Sequence, residues 1–291
     1  MVLHPSTLVP LFPLPSSLVY PTLVGLPYDA SSSFLRGAAA APPLIRAALD
    51  SPATNRWSES GLEIRPGHEY VDDGDIDLSD ETAARTAIER AIARILTTGG
   101  RPLSLGGDHS VTYPIVRALA RVTPAFTIVQ IDAHPDLYDE FEGDRFSHAC
   151  PFARILEEHA GIRLVQVGIR TMTGHQREQA RRFGVDVIDM RAWAAGRRPE
   201  VSGPTYMTID VDGLDPAFAP GVSHPEPGGL STRDVLGLIQ SLSGPILGAD
   251  VVEVNASQDI GNATVVLAAK LVRETVACMR EEGRGKREEG G

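Results

Sequence analysis

Along the chain, short runs of consecutive apolar and β-branched residues alternate with longer stretches in which apolar positions recur every three to four residues. The runs fall at residues 18–25, 69–72, 102–105, 126–131, 163–168, 185–188, 205–210 and 247–254. Several are apolar at successive positions rather than alternate ones, which is how strands covered on both faces of a parallel sheet read. Helical spacing and helix-forming residues occupy 81–96, 114–121, 151–159, 175–183, 232–241 and 263–279. Strand followed by helix, repeated, predicts an α/β fold: a three-layer α/β/α sandwich with a mainly parallel sheet of about eight strands. Residues 1–280 read as a single domain without repeat or linker. Residues 281–291, rich in Glu, Gly and Arg, read as a disordered polar tail.

Composition adds limits rather than detail. With 291 residues, 42% hydrophobic and 22% charged, the chain can bury a large core. Its net charge of -11 argues against nucleic acid as a partner, since phosphate recognition needs concentrated Lys and Arg. Cys150 and Cys278 are too few for a disulfide framework or a thiolate cluster. The first nineteen residues lack the basic start of a signal peptide and the arginines of a transit peptide, and Pro5, Pro10, Pro13 and Pro15 interrupt them. No stretch approaches the roughly 20 unbroken apolar residues that cross a bilayer. A cytoplasmic protein with no membrane partner is therefore expected.

Ligands of open parallel sheets gather outside the carboxyl ends of the strands. There the sequence places its least ordinary residues. The strand at 126–131 runs into Asp132-Ala133-His134-Pro135-Asp136, and extended chain turns alternate side chains the same way. The strand at 205–210 ends in Asp210-Val211-Asp212, and a third end supplies Gly106-Gly107-Asp108-His109-Ser110. Four carboxylates cannot crowd together ionised unless cations neutralise them. His109, Asp132, His134, Asp136, Asp210 and Asp212 form a nitrogen and oxygen ligand set suited to Mn²⁺, with iron, cobalt, nickel or zinc as other occupants. Two cations bridged by carboxylates lower the pKa of a shared water.

These blocks, with Ile209-Asp-Val-Asp-Gly-Leu-Asp-Pro216, resemble the signatures of the ureohydrolase family of arginases and agmatinases. The likeness starts at Gly25-Leu-Pro-Tyr-Asp29, passes Gln166-Val-Gly-Ile-Arg170 and ends near Lys270-Leu-Val-Arg273. In detail it is most similar to plant-type arginases and agmatinase-like relatives, through Tyr138-Asp-Glu-Phe-Glu-Gly143, Ser147-His-Ala149 and the run 217–224. The resemblance implies two Mn²⁺ per subunit, one held by His109 and Asp136, the other by His134 and Asp212, with Asp132 and Asp210 bridging. It implies that Glu253 binds the guanidinium of a small-molecule substrate and that His148 carries protons to the departing amine. A homotrimer or homohexamer is implied on the same ground.

The implied reaction splits a guanidino compound into urea and an amine. Agmatine is placed first as substrate, arginine second and guanidinobutyrate third. A stretch common in agmatinases is replaced here by Gly221-Val-Ser-His224, and the usual Ser-His-Gly by Ser-His-Ala. Arg145 and His224 are the residues expected at the pocket mouth, where a cation would favour a substrate carboxylate. Two other classes compete with this reading. Glu253 and the Gly-Gly-Asp-His-Ser block argue against a deacetylase-like amide hydrolase, and the full set of six ligand residues argues against a silent binding protein.

Overall fold

The computed structural model of the chain describes residues 20–288, and side chains over 20–280. Eight strands form one sheet: β1 (Pro21–Gly25), β2 (Val71–Asp75), β3 (Arg101–Leu105), β4 (Phe126–Ile131), β5 (Ile162–Val167), β6 (Asp186–Ile188), β7 (Thr205–Asp210) and β8 (Ile246–Val252). Their spatial order is β2-β1-β3-β8-β7-β4-β5-β6, with every pairing parallel. Among the described residues seven α-helices connect successive strands and an eighth follows the last: α1 (Ala41–Leu49), α2 (Ala84–Thr97), α3 (Thr112–Ala120), α4 (Pro151–Glu158), α5 (Gly174–Phe183), α6 (Met190–Ala194), α7 (Thr232–Ser241) and α8 (Ala263–Glu288). Two apolar clusters lie on opposite sides of the sheet. One joins Leu103, Ile131, Ile209 and Val251 to Leu271 of α8, and the other joins Ile128 and Tyr206 to Ile88 and Ile92 of α2. Three layers result, as the alternation of strand and helix predicts. Among the described residues no helix is long and apolar enough to cross a membrane.

Strands β1, β4 and β7 are buried at every position, which explains their unbroken apolar runs. Strand β2 is the exception, exposed at most positions and lying at the sheet edge. Its Asp72 and Asp75 pair with Arg46, and its Asp73 pairs with Arg94. Charge of this kind stops an edge from recruiting further strands.

Two helices escape the hydrophobic pattern. Helix α1 begins at Ala41-Pro42-Pro43, a pair of prolines that reads as a breaker, yet the first turn tolerates proline because its amides lack helical partners anyway. Helix α6 is little more than one turn, capped by Asp189 accepting from the Ala192 amide. At the other end of the chain, α8 carries the helix to Glu288, through most of the segment expected as a polar tail. Gly283 and Gly285 weaken a helix by only about 1 kcal/mol each, and the Glu, Arg and Lys around them are good helix formers. Residues 1–19, with the start of the first expected strand, and 289–291 lie outside the described residues.

Candidate metal centre

Four neighbouring strands, β3, β8, β7 and β4, end side by side, and the ionisable residues sit at their carboxyl ends or on the loops just beyond. In the shared register Leu105, Val251, Ile209 and Ile131 form one row across the sheet. The next residues on β7 and β4 are Asp210 and Asp132, which therefore stand level on adjacent strands with side chains on one face. Past β3, Gly107 lets the chain press against the loop at Tyr28, where a Cβ would lie 1.6 Å from the Tyr28 carbonyl oxygen. His109 then opens a short 3-10 turn, capped by Asp108 accepting from the Ser110 amide.

The donors converge. His109 Nδ1 lies 3.1 Å from Asp132 Oδ2, 3.0 Å from Asp136 Oδ2 and 3.2 Å from Asp210 Oδ2. His134 Nδ1 lies 3.0 Å from Asp212 Oδ2 and 3.7 Å from Asp132 Oδ1. Donor atoms of His109, Asp132 and Asp136 form one tight group, and those of Asp132, His134 and Asp212 another, with Asp132 in both. All six residues expected as ligands are thus brought together. His134 is the most open of them, its side chain 29% exposed, while His109 is fully buried.

Whether a cation fits there is decided by one atom. His109 Nε2 meets the Thr208 hydroxyl at 2.9 Å, while buried Nδ1 makes no hydrogen bond although three carboxylate oxygens surround it. A buried nitrogen among acceptors, left unbonded, is costly unless a positive charge lies between them. Nitrogen and carboxylate donors of this kind suit a transition-metal dication. The electrostatics agree. Burial, with Asp132's charge added, pushes the Asp136 carboxyl up to about 6, and burial with Asp212 and Asp132 raises Asp210 well above the usual range. Burial works against a charged His109, yet Asp132, Asp136 and Asp210 together raise its pKa well above that of a free imidazole. The carboxylates thus gather whatever positive charge is on offer.

Beside this floor, Glu253 comes just after β8 in a left-handed conformation, φ 63°, and Asp136 has φ 51°. Such backbone is costly for residues with a side chain and concentrates at functional sites. Glu253 Oε1 accepts from the His109 amide at 2.8 Å and from His148 Nδ1 at 2.8 Å. On the other side of the ring, His148 Nε2 accepts from the Ser33 amide at 3.1 Å and lies 2.8 Å from the Ser33 hydroxyl. An amide can only donate, so the proton of the bond to Glu253 sits on Nδ1, and a second proton would reach Nε2 only by displacing the Ser33 amide. Burial opposes a second proton, but the Glu253 carboxylate outweighs it and lifts the His148 pKa to about 9.

The two mouth residues part company. The His224 ring lies 5.2 Å from His148 and 6.0 Å from His134, centroid to centroid, so it faces the site. Burial and the neighbouring His148 lower its pKa, which removes the cation that a carboxylate reader needs. Arg145 is half exposed and pairs with Asp139 at 3.5 Å and Glu157 at 3.2 Å. The contacts of Arg145 are with surface acids and not with the cluster.

Several functional neighbours do not stand out in the sequence. Thr208 backs His109, and Gln130 Nε2 donates to Asp132 Oδ2 at 2.7 Å. Each stands two residues before a ligand on its own strand, so the two-residue period that singles out the ligands places these on the same face. Ser33 and Phe34 carry no comparable signal, because a loop has no period.

Comparison with known proteins agrees with this geometry. The family model described as arginase family matches residues 21–278. "Arginase 1, mitochondrial" of Arabidopsis thaliana is 44% identical over 274 residues, 88% of this chain and 80% of its own. Agmatinase of Bacillus anthracis is 34% identical over 265 residues, 87% of this chain and 89% of its own. The solved arginase of Medicago truncatula superimposes with a TM-score of 0.85 at 42% identity, covering 90% of this chain and 87% of that one. The arginases of Arabidopsis and rice are mitochondrial by name, which overturns the expectation of a cytoplasmic protein. Compartment is addressed by targeting segments, so likeness across the catalytic fold carries no cytoplasmic address. The cluster at the strand ends and the family match spanning it lead to one conclusion: the chain belongs to the arginase family, hydrolases of guanidino compounds that act on carbon–nitrogen bonds of linear amidines.

Proposed function

We propose that this enzyme is an arginase, releasing urea from L-arginine and leaving L-ornithine. The observation that carries the substrate is a gradient of similarity, 44% identity to the Arabidopsis arginase against 34% to the Bacillus agmatinase over nearly equal shares of this chain. Agmatine, first in the sequence-based order, becomes the second reading. His109 and Asp136 would hold one Mn²⁺ and His134 and Asp212 the other, with Asp132 and Asp210 bridging. Bound there, the metals supply the Lewis acidity that makes water a nucleophile near neutral pH.

The chain's own residues do the rest. Glu253 takes the guanidinium: both its hydrogen bonds fall on Oε1, which leaves Oε2 to accept from the planar cation. The left-handed backbone at Glu253 turns its carboxylate back over the His109 amide, fixing the substrate carbon relative to the cluster. His148, hydrogen-bonded to that same oxygen, gains a proton readily and releases it to the departing amine. We further propose a homotrimer or homohexamer, testable by light scattering. Urea release from L-arginine, agmatine and 4-guanidinobutyrate, each with added Mn²⁺, tests the assignment. The highest kcat/KM is expected for arginine, and a higher value for either other substrate overturns it.

A further inference from the structure

Phe34 is a large apolar side chain, 66% exposed, on a backbone that is fastened all around it. The Ser33 amide bonds His148, the Leu35 carbonyl accepts from the Ser223 hydroxyl at 2.8 Å, and the Arg36 carbonyl accepts from Asn255 Nδ2 at 3.3 Å. Asn255 Nδ2 also donates to the Ser223 hydroxyl at 3.0 Å, and Asn255 lies two residues beyond Glu253. A further anchor comes earlier in the loop, where the Ser31 amide donates to Asp108 at 3.0 Å and the Ser31 carbonyl accepts from the His148 amide at 3.1 Å. Every one of these ties runs to a residue of the site or its immediate neighbour. Loops normally spend such fixation on burying their apolar side chains, and this one holds a phenyl ring in the open.

The neighbours of that ring explain the arrangement. Its centroid is 5.7 Å from that of His224, and the His224 ring in turn lies tilted beside His148 and edge-on to His134. Phe34, His224 and the two inner histidines thus form a chain of ring contacts from solvent to the cluster. Glu253 bonds His148, the inner end of this chain, so a guanidinium seated at Glu253 has these rings between it and solvent on that side.

We propose that Phe34, backed by His224, is a specificity-determining residue that packs the carbon chain of the guanidino substrate and takes its terminal ammonium against the face of the ring. The inference rests on the placing of the guanidinium at Glu253. An aromatic face attracts an ammonium and offers nothing to a carboxylate, so substrates ending in an ammonium gain over those that end in a carboxylate alone.

The test compares the parent, Phe34→Ala and Phe34→Leu, all loaded with Mn²⁺, on L-arginine, agmatine, 4-guanidinobutyrate and methylguanidine. Phe34→Ala is expected to raise KM for arginine and agmatine about three-fold or more, with the loss falling on KM rather than kcat. The penalty should shrink for 4-guanidinobutyrate and vanish for methylguanidine, which has no chain to pack. Phe34→Leu should restore affinity for the chain without restoring the preference for an ammonium end. Melting temperature and size-exclusion elution accompany the kinetics. Equal KM for parent and Phe34→Ala overturns the inference, as does a change of oligomeric state without a change in KM, which would mean that another copy covers the ring. A parent that prefers agmatine to arginine overturns the arginase assignment and leaves this inference standing, since both substrates carry the ammonium.

Discussion

The ligand cluster at the strand ends and the acidic loop at 138–145 are both dense in charge, yet they behave oppositely. At the strand ends, His109, Asp132 and Asp210 are buried to within a few percent and face one another, so none of them can be satisfied by solvent. In the loop, Arg145 keeps a side chain 47% exposed and meets Asp139 and Glu157 at the surface. Charge that a fold takes out of water without complete partners needs a ligand to account for it. Charge that remains in water, paired with its neighbours, needs no further explanation.

The sharpest way to break this contrast is to remove a buried ligand. His134→Ala and Asp210→Ala should each lower metal content and cut urea release by more than about 100-fold, since changes merely in the shell behind a metal cost about 10 to 100-fold. Elemental analysis read beside turnover checks it, and an Asp210→Ala enzyme with normal metal and activity would remove that carboxylate from the centre.

Next in size comes the boundary between metal floor and substrate. Glu253→Gln should retain metal yet lose about 10 to 100-fold in kcat/KM, because an amide cannot neutralise a guanidinium. The same variant sharpens the electrostatic reading. Without the Glu253 charge, the His148 pKa of the metal-free protein should fall from about 9 toward or below the ordinary imidazole value, as followed by NMR titration. Because the folded pKa lies above the unfolded one, the stability contributed by this pair is present below about pH 6.5 and lost as the pH rises through about 9.

Behind the floor, Thr208→Ala releases His109 Nε2 and should weaken metal binding by about 10-fold while leaving the fold's melting temperature within a few degrees. Competition with a chelator measures the first quantity and calorimetry the second. The smallest effect is expected at Arg145. Arg145→Ala should change kcat/KM for arginine and agmatine by less than about two-fold, because exposed ion pairs contribute about 0 to 1 kcal/mol and none reaches the cluster. A selective loss of arginine hydrolysis in that variant would return Arg145 to the pocket mouth.

These expectations also mark what could be read from the chain alone. Strands β4 and β7 were legible because burial on both faces leaves an unbroken apolar run, and the ligands stood out as charges placed where such runs stop. Helix α1 was hidden by Pro42-Pro43, whose meaning depends on position within a helix rather than on residue type. The role of Phe34 was beyond reach for a different reason. Ser223 and Asn255, which hold its loop, lie about two hundred residues along the chain, and only the assembled sheet brings those loops to one mouth.

The order of strands in the sheet has a consequence for the birth of the enzyme. Strand β8, the last to leave the ribosome, inserts between β3 and β7 at the middle of the sheet, and Glu253 comes with it. Until it arrives, His109 past β3 has no common sheet with Asp132 and Asp210, which the pairing of β4 with β7 already sets side by side. Chain closure of such long sequence separation is slow and waits for complete synthesis. A nascent or truncated chain can therefore align Asp132, His134 and Asp212 across β4 and β7, but His109 joins them only when β8 is in place, so the full centre is a mark of a finished fold.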